Sequence, residues 1–134
     1  MRDRARDKGR LYDIVDYADK ALKMIEGHSY DTFVNDIAVY FAVMKCVEIV
    51  GEATYMLTKD FKAEHPDIPW PLIQGLRHVL VHGYEQIDRQ TLYDTTTNDL
   101  PRYRDQAESL LNDTDWDEWE QGSLHTTPND KTTN

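Results

Sequence analysis

IAVYFAVMKCVEIV, residues Ile37–Val50, is the stretch on which the fold turns. A helix drawn through it is apolar on more than one side, so several neighbours have to bury it. The flanking residues extend the period. Phe33, Ile37, Tyr40, Phe41, Met44, Val47 and Tyr55 act as anchors, and the spacing predicts one long helix from about Asp31 to Phe61. Gly51 inside it costs about 1 kcal/mol of helix propensity relative to alanine, and its simplest use is to let another helix come close. Cys46, the single cysteine, cannot form an internal disulfide and reads as a small core residue.

Upstream, Leu11, Ile14, Val15, Ala18, Leu22 and Ile25 form the stripe of an amphipathic helix, and Gly27 is placed to stop it. Downstream, EHPDIPWPL (residues 64–72) is a turn-rich connector. Pro71 suits the first turn of a third helix starting at Trp70 or Pro71 and ending near His82, with Gly83 as its cap. DRQTLYDTTTN (88–98) predicts a short helix. A last helix follows, with Asn98 or Asp99 as N-cap, Pro101 in its first turn, and Leu100, Tyr103, Ala107, Leu110 and Leu111 on one stripe. No strand-like alternation competes. The chain reads as all-α, an antiparallel up-and-down bundle of four to five helices over residues 1–112. Residues 113–134 are polar and aperiodic, so a disordered acidic tail is expected, with Trp116 and Trp119 available to dock.

The net charge of -10 argues against general nucleic-acid binding by the whole surface. The charge is uneven. The tail from Asp113 carries -5, leaving -5 on residues 1–112, while the first ten residues hold a local +3. No apolar run approaches the roughly 20 residues of a membrane span. MRDRARDKGR has no apolar segment behind it, so no secretory signal is expected and the cytoplasm is the expected compartment.

RHVLVHGY, residues Arg77–Tyr84, gathers the chemistry. There is no Gly-rich phosphate loop, no HExxH and no paired-cysteine site. His78 and His82 stand one turn apart, but no third ligand lies near them, so no metal and no cofactor are expected. Histidine takes and gives protons near neutral pH, and the arginine fork matches a phosphate. Arg77 and His82 together therefore suit metal-free RNA cleavage. The histidine would handle the 2′-hydroxyl or the leaving oxygen, and the arginine the charge building on phosphorus oxygens. On an ideal helix the two are about 140° apart, so they share a face only if the helix ends near His82 or the arginine swings. One pair is a thin active site. Two copies meeting across a two-fold axis would put two arginines and two histidines in one cleft, so a homodimer is expected.

The motif Arg-polar-x3-His-x-Tyr is met by Arg77, His78, Val79–Val81, His82, Gly83 and Tyr84. With EIVGEA (48–53), IPWPLIQGLRHVLVHGYEQID (68–88) and TNDLP (97–101), it resembles HEPN-domain toxins paired with minimal nucleotidyltransferase antitoxins, over about Leu11–Leu111. His78 departs from the asparagine frequent at that position. The resemblance implies a helical homodimer, metal-independent ribonuclease activity on tRNA or mRNA, and a partner nucleotidyltransferase that neutralises the toxin by transferring AMP to Tyr84. An added phosphate beside Arg77 and His82 would occupy the place of the RNA phosphate. Glu48 and Glu52, one turn apart, are candidates to orient Arg77 or His82. Two other readings stay open: a non-catalytic helper subunit of a two-subunit nucleotidyltransferase, and a purely structural dimer.

Overall fold

The computed structural model describes residues 3–77 and 89–125. Among them there are helices and no strands. A 3₁₀ turn, Arg4–Arg6, leads into α1, Asp7–Ile25. Then come α2, Tyr30–Asn35, α3, Ile37–Met56, α4, Lys59–Ala63, and α5, Trp70–Gln74. After residues 78–88, α6 (Arg89–Asp94) passes through a π-helical turn (Thr95–Asp99) into α7, Leu100–Asp113, and α8 is Trp116–His125.

α1 packs against both α3 and α7. Asp7 at its start bonds Thr58 just beyond the end of α3, so α1 and α3 are antiparallel. Leu11, Ile14, Ala18 and Ala21 of α1 are wholly buried, as are Val43, Val47 and Val50 of α3. Most of the predicted stripe of α1 therefore faces inward, and Gly27, at φ 81°, ends the helix as expected. The core closes across α7 through a buried bond between Thr54 Oγ1 and Tyr103 Oη at 2.7 Å. Burial pushes the Tyr103 phenol far above its ordinary range. Cys46 is a buried free thiol, as read from the sequence.

The single helix expected from Asp31 to Phe61 is three helices. Side chains that bond the backbone divide it. Ser29 Oγ accepts from Thr32 N (3.2 Å) and starts α2. Asp36 leaves helical geometry and accepts from Val39 N (3.2 Å), starting α3. Thr58 Oγ1 accepts from Phe61 N (3.1 Å), starting α4.

The short helix and the last helix, expected to be separate, run on through the π turn. Asp99 makes no side-chain cap bond. Pro101 has no N–H to give the regular ladder, and a wider turn absorbs the missing bond. Thr96 and Thr97 hydroxyls donate, at 2.8 Å each, to the carbonyls of Leu92 and Tyr93 in the preceding helix.

The tail expected to be disordered from residue 113 is helical over Trp116–His125. Its two tryptophans supply the apolar contacts its composition otherwise lacks. Trp116 stacks on Phe61 at 5.7 Å and Trp119 meets the same ring edge-on at 5.4 Å. Residues 126–134 lie outside the described residues. No helix among the described residues is long and apolar enough to cross a membrane.

Candidate functional site

α5 sets the position of Arg77. Pro69 precedes it, Pro71 lies in its first turn, and the indole of Trp70 donates to the carbonyls of Lys62 (3.1 Å) and His65 (2.9 Å). The connector is thereby tied to α4, and the chain reaches Arg77 against α3. Gly51 makes that approach possible. A Cβ there would sit 2.8 Å from Arg77 N, 3.2 Å from Leu76 Cβ and 3.3 Å from Ile73 O. The expectation that Gly51 admits a close neighbour is met, and the neighbour is the segment carrying Arg77.

Gly51→Ala should therefore lower stability by about 1–3 kcal/mol, the usual cost of overpacking, despite alanine's better helix propensity. Urea denaturation measures it, and an unchanged or raised midpoint would show that this contact yields freely.

The Arg77 guanidinium lies with its Cζ 3.6 Å from the centre of the Tyr55 ring. Nη1 is 4.0 Å from Glu52 Oε1, at the outer limit of an ion pair, and the Glu52 side chain is 54% exposed. Nε is buried and has no hydrogen-bond partner among the described residues. Lys62 reaches the same ring from farther off, its Nζ 6.0 Å from the centre. That ammonium donates to the carbonyls of Thr54 (3.4 Å) and Tyr55 (3.3 Å) and to Gln74 Oε1 (3.1 Å). Two cations thus gather around one tyrosine ring, and among the described residues Glu52 is a loosely held carboxylate beside Arg77.

Of the two glutamates read as supports, only Glu52 approaches Arg77. Glu48 pairs with Lys45 at 3.2 Å. His78, His82 and Tyr84 lie outside the described residues. Tyr55 and Lys62 were not read as site residues. Tyr55 had a signal: it stands three residues after Glu52 and seven after Glu48, on the same helical stripe. Lys62 had none, because a separate helix brings it in. Among the described residues no group of three metal-ligating side chains comes together.

A permanent cation whose fork is not closed by any described residue, held against a tyrosine ring, can take up a phosphate. The model of the HepT-like family, described as ribonuclease HepT-like, matches residues 14–110. The chain belongs to the HepT-like ribonuclease family. Its relatives agree. A Methanocaldococcus jannaschii protein named as a candidate RNase is 32% identical over 106 residues, covering 79% of this chain and 88% of its own length. A second from that organism, named likewise, is 32% identical over 106 residues, covering 79% and 91%. A Thermococcus cleftensis protein named as a candidate ribonuclease HepT is 34% identical over 95 residues, covering 68% and 86%. No solved structure matches the chain. The family resemblance read from RHVLVHGY and its flanks is borne out.

Proposed function

We propose that this HepT-like ribonuclease is the toxin of a toxin–antitoxin pair, cutting tRNA or mRNA without a metal ion. Arg77 binds the scissile phosphate and stabilises the charge that grows on its oxygens. His82 accepts the proton of the 2′-hydroxyl or gives one to the departing 5′-oxygen, with His78 in a supporting role. The 2′-oxygen forms the new bond to phosphorus and the 5′-oxygen leaves, so RNA supplies its own nucleophile.

The observation that carries this reading is the state of Arg77. Its fork is braced on a ring, and among the described residues no carboxylate closes on it. A neutralised arginine would have little to offer a phosphate.

The active form is a homodimer. Ile37 and Phe41 are large apolar side chains, 68% and 54% exposed. At about 100° per residue they fall within about 60° of Glu48, Glu52 and Tyr55 on one stripe of α3. A second copy covering them would meet the segment carrying Arg77, so one cleft would receive both motifs. Two histidines could then divide the roles of base and acid. The antitoxin is a minimal nucleotidyltransferase that joins the AMP of ATP to the Tyr84 oxygen, releasing pyrophosphate and setting a negative phosphate where RNA should bind.

The test uses the purified chain with end-labelled tRNA and mRNA in excess EDTA. Cleavage is expected, and it should be lost in His82→Ala with an unchanged circular dichroism spectrum. Intact mass after co-expression with a neighbouring nucleotidyltransferase should rise by AMP units in wild type and not in Tyr84→Phe. Cleavage abolished by EDTA, or surviving in His82→Ala, would overturn the mechanism. A chain that binds nucleotide and never cuts would be the helper subunit instead.

A further inference from the structure

We infer that Tyr55 is a positioning residue for Arg77, its ring fixing the plane and direction in which the guanidinium meets an RNA phosphate. This rests on the proposed role of Arg77 and extends it to a residue of a different helix.

An arginine side chain has several free torsions, and something has to hold it for its fork to be set before RNA arrives. Among the described groups no strong polar contact does so. Nε is buried with no partner, and Glu52 stands 4.0 Å from Nη1. The closest described contact is the Tyr55 ring, 3.6 Å from Cζ. The mode of holding matters. A carboxylate closing on the fork would use its edge donors and cancel its charge. A ring takes the flat face and leaves the N–H edges to the phosphate. A stacked guanidinium is fixed in orientation yet still open for recognition.

The backbone of Tyr55 is itself tied to the segment the ring serves. Lys62 Nζ donates to the Tyr55 carbonyl at 3.3 Å and to Gln74 Oε1 at 3.1 Å. Gln74 stands three residues before Arg77 on the same segment. One turn before Tyr55, Gly51 brings α3 into contact with the Arg77 backbone. Backbone and guanidinium of Arg77 are therefore referenced to a single stretch of α3, Gly51–Tyr55. Displacing the ring should turn the fork without unseating the chain.

The test compares Tyr55→Phe, which keeps the π face, with Tyr55→Leu, which removes it. Tyr55→Met, of fuller reach but no π face, serves if the leucine variant loses its cooperative thermal transition. Cleavage kinetics are read for each. Affinity for an RNA made uncleavable by 2′-deoxy substitution is read in wild-type and Arg77→Ala backgrounds. Tyr55→Phe should stay within about twofold of wild type, and Tyr55→Leu should lose about tenfold in kcat/KM, with a measurable part of that loss in RNA affinity. In the Arg77→Ala background Tyr55→Leu should weaken binding no further, since a residue acting through Arg77 has nothing left to act on. Full activity of Tyr55→Leu beside a dead Arg77→Ala would overturn this inference alone. An equal binding loss in both backgrounds would overturn it too, by showing that the ring acts independently of Arg77. An Arg77→Ala protein as active as wild type would overturn the role of Arg77 and this inference with it.

Discussion

Arg77→Ala should lower kcat for RNA cleavage by about 10²–10³-fold, the range seen when one preorganised donor to a developing oxyanion is removed. The protein should otherwise be intact. The Arg77 side chain is 23% exposed and makes no strong hydrogen bond to the described residues, so its removal orphans no buried partner among them. Melting temperature and helicity are expected near wild type, which separates loss of chemistry from loss of fold. Arg77→Lys should recover only part of the rate. Lysine keeps the charge but presents a compact ammonium in place of a planar fork, and it cannot lie flat on Tyr55 in the same way. Single-turnover cleavage under saturating enzyme reads the chemical step directly. An Arg77→Ala variant within threefold of wild type, or a lysine variant equal to arginine, would remove the guanidinium from the mechanism.

The sequence showed most plainly what depends on repetition. The stripes of α1 and α7, the inward face of α3 and the glycine stop after α1 follow from period and composition, and all are present. Helix boundaries were less legible. Asp36 and Thr58 look like ordinary helix-surface residues until their side chains are seen bonding backbone N–H groups, because capping and interior positions differ in geometry rather than in residue type. The π turn hid for a similar reason: Asp99 and Pro101 read as a helix start, and only tertiary continuity shows that the helix arrives from before them. At the site, Arg77 was legible from its motif and Gly51 from its cost. Lys62 was not legible, because the turn between α3 and α4 brings it to Tyr55. Aperiodic, acidic composition argued for disorder in the tail, and two tryptophans overrode it over Trp116–His125.

Asp7→Ala should be the most damaging substitution away from the site, lowering stability by about 3–5 kcal/mol. Asp7 is fully buried, and its carboxylate is shared by three elements. Oδ1 accepts from Thr58 N at 2.8 Å. Oδ2 accepts from Thr58 Oγ1 at 2.7 Å and from the Trp119 indole at 3.0 Å. The start of α1, the cap of α4 and the tail helix α8 thus meet at one side chain. Alanine leaves the Thr58 N–H and the indole N–H without an acceptor, each at about 1–3 kcal/mol, and opens a void between them. Native domains have only about 5–15 kcal/mol in hand, so the thermal midpoint should fall visibly. Trp119→Phe removes one of the three donors and keeps a ring against Phe61, so its cost should be nearer 1 kcal/mol. The two changes should combine to less than their sum, because they break one shared bond. Urea unfolding followed by tryptophan fluorescence and by far-UV circular dichroism gives the energies. It also shows whether α8 leaves before the bundle: in Asp7→Ala the fluorescence transition should precede the helical one, and coincident transitions at the wild-type midpoint would mean that α8 is held by its apolar contacts alone.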